Sequence, residues 1–140
     1  MATRARIGIE LSDGSVLSAY HHWDGYPEWL GRILNTHYGT KEKVAELIDG
    51  GDMSCCWTDD RWDKLTKSTT STEKYAPNYY SYRGDDTPPR LDKNLNEYLC
   101  DGEEYAYIFT KGEWVCYSLY GGEHPDIVKE VEIPAGALAV

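Results

Sequence analysis

The chain has 140 residues, 41% of them hydrophobic, with a net charge of −10 and a mean hydropathy of −0.61. This length predicts a single domain, residues 1–140, that is large enough to bury one core. No apolar run approaches the roughly 20 residues that a membrane helix needs. The acidity disfavours binding to nucleic acid or to an anionic membrane, because like charges repel.

The first elements in the chain have the pattern of a β-hairpin. Apolar and charged residues alternate over residues 4–11, as in a strand with one buried face. Asp13 and Gly14 then form a strong turn signal, and residues 16–23 return as the second strand. The sequence therefore predicts that a hairpin opens the fold.

Two helices are predicted next from the spacing of apolar residues. Pro27 suits the first turn of a helix, which is expected to run to about Tyr38. Thr40 can cap a second helix over residues 41–49. A short strand is then predicted over residues 53–57.

The second half of the chain is less regular. Residues 66–78 are polar and rich in Ser and Thr, which predicts an exposed loop, and residues 79–83 have β character. A third helix is predicted over residues 90–100 and a second hairpin over residues 104–119, before a tail of about residues 121–140. The sum predicts an α+β fold: a small antiparallel sheet of two hairpins plus one or two extra strands, packed by two or three helices on one face.

Cysteine usage and the N-terminus predict a cytoplasmic protein. The first residues are charged and strand-like and lack the apolar segment of a secretion signal. The four cysteines are therefore expected to be thiols. Their spacing contains no Cys-x-x-Cys pair, so no metal or other cofactor is expected.

One pattern runs through the first part of the chain: T-R-x-x-I-x-I, then D-G-S-V, then H-W-D-G-Y-P before a helix, which here reads TRARIGIELSDGSVLSAYHHWDGYPEWLGRIL. The closing EEYAYIFTKGEWVCYSL belongs with it. By these stretches, residues 1–54 and about 98–119 resemble a family of small proteins from tailed bacteriophages and prophages. The family has no settled biochemical activity, so the resemblance assigns no catalytic residue. It implies a phage accessory protein that acts in the cytoplasm of a bacterial host.

The corner between the second strand and the first helix is the richest candidate for chemistry. His21 and His22 should point to opposite faces of a strand, so they cannot both bind one metal ion. His22 and Asp24 lie two residues apart, which leaves open a base with its orienting carboxylate. Such a hydrolase is the least favoured hypothesis, because the nucleophile would have to come from elsewhere in the fold, from Ser12, Ser54 or Cys55. The structural alternative is a turn fixed by Asp24, with aromatic rings over the helix start.

The same corner is also a candidate ligand or partner site. Arginine and histidine could hold an anion beside the helix start, and tyrosines could stack a base or form a contact patch. The residues proposed for binding are Arg4, Arg6, His22, Trp23, Asp24, Tyr26, Tyr80, Tyr82 and Arg83.

Charge and aromatic content favour binding over catalysis. Residues 1–48 carry six acids and five bases, whereas residues 49–140 carry eighteen acids and nine bases. The second part is therefore acidic enough to imitate a nucleic-acid backbone on a basic host surface, although the same acids could serve solubility alone. The favoured hypothesis is non-catalytic binding to a host bacterial protein, in host takeover or inhibition of host defence. The alternative is a binder of a small anionic nucleotide, and homo-oligomer formation stays open.

Overall fold

The computed structural model describes residues 3–56, 77–100, 102–119 and 128–134. Within these residues the chain forms one mixed sheet with three α-helices and two short helical turns. The strands are β1 Ala5–Glu10, β2 Val16–His21, β3 Met53–Cys55, β4 Asn78–Tyr79, β5 Arg90–Asp92, β6 Tyr105–Thr110, β7 Glu113–Ser118 and β8 Lys129–Val131. The helices are α1 Arg32–His37, α2 Lys41–Asp49 and α3 Leu95–Leu99, with a π-helical turn at Pro27–Gly31 and a 3-10 turn at Tyr80–Arg83.

The sheet joins the two predicted hairpins through their first strands. Its order is β4-β3-β2-β1-β6-β7-β8, and β5 also pairs with β2. The pairs β1–β6 and β2–β3 are parallel and the others are antiparallel. The α+β class is confirmed, while the sheet is mixed where an antiparallel one was expected. The reason is that β1 and β6 each begin a hairpin and lie side by side in the same direction.

Glycine turns close both hairpins. In the first, the Leu11 N–H donates to Ser15 O at 2.8 Å and the Gly14 N–H donates to Leu11 O at 3.0 Å, with Gly14 at φ 86°. In the second, Lys111 and Gly112 have φ values of 52° and 80°, the backbone of a two-residue turn that suits the twist of the strands. Both predicted hairpins are therefore confirmed, each with its glycine in the left-handed region.

One face of the sheet carries the main core. Alternate residues of β1 and β6, such as Ile7, Ile9, Tyr107 and Phe109, point towards the π-helical turn, α1 and α2. The predicted helices over residues 27–38 and 41–49 are confirmed, although the first begins as a π-helical turn. Thr40 caps α2 as expected, accepting from the Lys43 N–H at 3.3 Å.

The opposite face carries a smaller core under α3. The Tyr98 ring lies over Gly8, where a Cβ would come within 2.9 Å of it, and the Tyr98 hydroxyl donates to Tyr107 O at 2.6 Å. The third helix therefore packs on the other side of the sheet from α1 and α2. It is also shorter than predicted, because residues 90–92 form β5 and Asn94 caps α3 through the Glu97 N–H.

The other local predictions have different outcomes. The β character of residues 79–83 is wrong beyond Tyr79, since Tyr80–Arg83 turns as a 3-10 helix into Gly84 at φ 92°. Residues 128–134 of the predicted tail are described, and within them β8 pairs with β7. Residues 66–76 of the predicted loop, and the rest of the tail, lie outside the described residues.

Two further findings concern membranes and cysteines. No helix in the described ranges has the length and apolar character needed to cross a bilayer.

The four cysteines form no disulfide with one another, and Cys56 and Cys116 are buried. Burial raises the pKa of the Cys116 thiol to about 12, so this sulfur stays protonated.

Candidate functional site

The corner after β2 is held by backbone hydrogen bonds. The Trp23 N–H donates to Ser54 O at 2.9 Å, and the Gly25 N–H donates to Thr3 O at 2.8 Å. Asp24 between them has φ 53°, a left-handed backbone that aspartate tolerates better than most residues. The buried Tyr107 hydroxyl donates to Gly25 O at 2.7 Å and ties the bend to β6. Asp24 is itself exposed, so its contribution to the turn is the backbone conformation.

His21 belongs to the core. It is fully buried, and its Nε2 accepts the Cys56 N–H at 3.1 Å, which places the proton of the neutral imidazole on Nδ1. Burial and, to a lesser extent, the neighbouring His22 together lower the pKa of His21 to about 3. The prediction that the two histidines point to opposite faces is confirmed.

His22 lies on the other face, between Tyr20 and Trp23. The Tyr20 oxygen is 2.7 Å from His22 Nδ1, and the ring of Trp23 meets the imidazole edge-on, with centroids 4.7 Å apart at 85°. The pKa of Tyr20 is raised to about 12, so its hydroxyl is protonated at neutral pH and can donate to Nδ1. In the neutral ring the remaining proton is then on Nε2.

Charged groups surround the Tyr20 hydroxyl. Burial is the main cause that raises the pKa of Tyr20. The positive charge of Arg4 lowers this pKa, whereas Tyr80, Glu103 and Glu104 raise it. Arg4 is exposed and has its Nε 3.9 Å from Glu104 Oε2, which also accepts the Arg4 N–H at 2.7 Å. The fold thus brings the predicted residues Arg4, His22 and Tyr80 together around a tyrosine.

The remaining predicted site residues divide into three groups. Arg6 is only 6% exposed and donates to the Ser18 hydroxyl at 2.9 Å and the Ser18 carbonyl at 3.2 Å, so its guanidinium is committed to the sheet. Tyr26 is half-buried and starts the helical segment, accepting the Leu30 N–H at 2.9 Å. Tyr82 and Arg83 belong to the 3-10 turn by their backbone, and their side chains lie outside what the structure describes.

Sequence reasoning missed Tyr20 and Asp52. Tyr20 could have been found, because it lies two residues before His22 and must share its face of the strand. Asp52 had no such signal. Its Oδ1 accepts the Tyr20 N–H at 2.9 Å, at the point on the β2 edge between β5 and β3. This contact satisfies a backbone donor that neither neighbouring strand reaches.

The acidic residues of the second part of the chain, residues 49–140, are only partly available to a partner. Asp92 is 5% exposed and has its Oδ2 3.1 Å from Arg90 Nε, while Asp52 and Glu104 accept backbone N–H groups. The acids that stay exposed in the described residues include Asp49, Asp85, Asp86 and Glu97. Four further acids of this part of the chain, Asp59, Asp60, Asp63 and Asp101, lie outside the described residues.

The arrangement gives little support to a hydrolase. The hydrogen-bond partner of His22 Nδ1 is Tyr20, where the sequence suggested Asp24. Ser12 lies in the first hairpin turn, at the far end of β2, and the buried Ser54 hydroxyl is 3.3 Å from Asn78 O. Among the residues described here, no three His, Cys, Asp or Glu side chains are placed to hold a metal ion.

Comparisons with protein-family models, with curated proteins and with solved structures found no match to this chain. The resemblance to small phage proteins is neither strengthened nor weakened by these comparisons.

Proposed function

We propose that this chain is a phage-encoded accessory protein that binds a host bacterial protein without catalysis, through the surface around Trp23. The observation that carries the proposal is the state of Trp23, whose side chain is 48% exposed although its backbone is fixed. The phage origin and the bacterial host come from the sequence resemblance. Together they suggest a role in host takeover or in inhibition of host defence.

Trp23 has the properties of a binding anchor. Its N–H is bonded to Ser54 O, its ring lies edge-on against His22, and His22 is in turn bonded to Tyr20. Among the aromatic side chains whose exposure the structure describes, which do not include Tyr82, it is the one that is exposed. Tryptophan is enriched among the residues that dominate protein interfaces, and a ring held in place before binding loses less entropy on association.

The charge around this anchor suits a partner with a basic surface. The Tyr80 N–H donates to Asp52 O at 3.1 Å, and Asp52 Oδ1 accepts the Tyr20 N–H at 2.9 Å. The Tyr80 carbonyl accepts the N–H of the exposed Asp85 at 3.3 Å, so Asp85 is linked to Tyr20 through Tyr80 and Asp52, on a protein of net charge −10. Such charges speed association with a positively charged partner more than they add to affinity.

The nucleotide alternative has less support. Arg6 is committed to Ser18 and Arg4 lies beside the Glu104 carboxylate, so neither arginine is held out towards a phosphate. We therefore treat a small anionic nucleotide at this corner as the less favoured function.

Replacing Trp23 by alanine should abolish partner binding without unfolding the protein. Truncation of a central interface tryptophan typically costs at least about 2 kcal/mol, a change of roughly 30-fold in Kd. The measurement is affinity capture from bacterial lysate at low and moderate salt, followed by a Kd for each purified partner. The matched control is Leu91→Ala, because Leu91 is 60% exposed on β5, at the other end of β2 from Trp23.

The proposal requires a protein that wild type and Leu91→Ala both capture and that Trp23→Ala loses. Capture of the same proteins by all three forms would contradict it, because the contact would then not involve the corner. Recovery of no specific partner at either salt concentration would contradict it as well. Circular dichroism and Tm of the variants show whether the fold is unchanged.

A further inference from the structure

A concave surface lies at the far end of the sheet from Trp23. It is an open cleft of about 560 Å³ between the two hairpin turns and the connection from α1 to α2. Its floor includes the nearly buried side chains of Ile9 and Phe109, and Leu11 forms part of the wall. A volume of this order is in the range of sites for small organic molecules.

Two lysines line the same cleft. Lys111 is placed by the tight turn of the second hairpin, where its φ of 52° and the following Gly112 fix the backbone. Lys41 is the first residue of α2, directly after its Thr40 cap. Both lysines are exposed, and neither forms an ion pair within the part of the chain that the structure describes.

The one acid in the cleft offsets only one of the two lysine charges. Glu10 also lines the cleft, and its carboxylate accepts the Thr110 hydroxyl at 2.9 Å. The cleft thus combines an apolar floor, two ammonium groups and one carboxylate, which leaves an excess of one positive charge. A local excess of positive charge over an apolar floor is unusual on a protein with 24 acids and 14 bases.

We propose that this cleft binds a small amphipathic anion. Its apolar body, a short alkyl chain or a single ring, packs against Ile9, Leu11 and Phe109. Its head, a carboxylate or a phosphate monoester, is held by Lys41 and Lys111. The apolar floor disfavours a fully polar anion such as inorganic phosphate, and the lysines discriminate against neutral analogues of the same shape. This site is separate from the Trp23 surface, so the inference does not depend on the proposed function.

The test is a titration followed by amide resonances of uniformly ¹⁵N-labelled full-length protein. Hexanoate and hexyl phosphate are the probes, and hexanamide is the neutral control. Acetate is a second control that has the carboxylate group but lacks the longer alkyl chain. We expect saturable shifts at Gly39 and Gly112, two glycines that line the cleft. One of the two charged probes should bind at least about threefold more tightly than hexanamide, since exposed ion pairs contribute modestly. Whichever charged probe binds more tightly identifies the head group, carboxylate or phosphate, that the cleft prefers.

Lysine variants test whether the two positive charges in the cleft are responsible for binding. The double substitution Lys41→Gln and Lys111→Gln should reduce binding of the charged probes to that of hexanamide, while Lys129→Gln, an exposed lysine on β8, should leave it unchanged. Equal binding of hexanoate, hexyl phosphate and hexanamide to wild type would overturn the proposal. Shifts without saturation, shifts centred elsewhere in the protein, or unchanged affinity in the double variant would overturn it as well.

Discussion

Replacing Gly25 by alanine should destabilise the protein by about 2–4 kcal/mol. A Cβ at this position would lie 2.7 Å from Thr3 O and 2.8 Å from the Ala5 Cβ, and the nearer atom belongs to the backbone. The start of β1 would have to move away, which weakens the bond from the Gly25 N–H to Thr3 O. The bond from the Tyr107 hydroxyl to Gly25 O is buried, so its loss would add to the cost.

The adjacent residue provides the matched control. Asp24 has φ 53°, a conformation that glycine adopts without steric cost, so Asp24→Gly should change stability by less than about 1 kcal/mol. The free energy of unfolding can be measured for both variants by urea titration with tryptophan fluorescence. A Gly25→Ala protein within 1 kcal/mol of wild type would show that the close approach of residues 3–5 does not hold the corner.

Stability should fall as the pH drops below about 6.5, in part because of His21. The pKa of His21 is lowered to about 3 in the folded protein, from an ordinary value of 6.5, so the unfolded chain binds the proton more readily. Its contribution is complete above pH 6.5 and is lost as the pH falls towards 3. Well inside this window, the loss is about 1.4 kcal/mol per pH unit at most.

The variant His21→Gln isolates this contribution from the carboxylates that titrate in the same range. A Gln side-chain oxygen can accept the Cys56 N–H in place of Nε2, but it has no proton to take up. A plot of unfolding free energy against pH should therefore be shallower in the variant by about 1 kcal/mol per unit between pH 6 and 4. If the plots for wild type and His21→Gln are parallel, His21 does not contribute to the pH dependence of stability. The imidazole resonances of wild type give an independent check, since His21 should stay neutral at pH 5.

The hairpins could be predicted because their signals are local. Alternation along β1 and β2 has the period of a strand, and Gly14, Lys111 and Gly112 supply the left-handed residues that the turns need. The opposite orientation of His21 and His22 follows from the same period. The helices over residues 27–38 and 41–49 were predictable for a similar reason, since Pro27 and Thr40 mark their starts within the sequence.

The errors lie where distant contacts decide the local structure. Residues 90–92 have apolar spacing that fits a helix, but β2 offers a free edge, and Leu91 pairs opposite Leu17 with its side chain 60% exposed. Tyr80–Arg83 turns away from the sheet because Tyr80 is bonded to Asp52 O and Gly84 ends the turn in the left-handed region. The pairing of residues 90–92 with β2 and the bond from Tyr80 to Asp52 both join distant parts of the chain, so the neighbouring sequence could not predict them.

The sequence by itself determined the class of fold, both hairpins, the three helices except for the start of the third, and the location of the corner that we propose as the binding surface. Only the tertiary structure decided what each corner residue does. Arg6 is bound to Ser18, His21 to the Cys56 N–H and His22 to Tyr20, while Trp23 is left exposed. The physical reason is that turns and strand periods depend on adjacent residues. Burial and hydrogen-bond partners instead depend on strands such as β1 and β6, which pair across about 100 residues of chain.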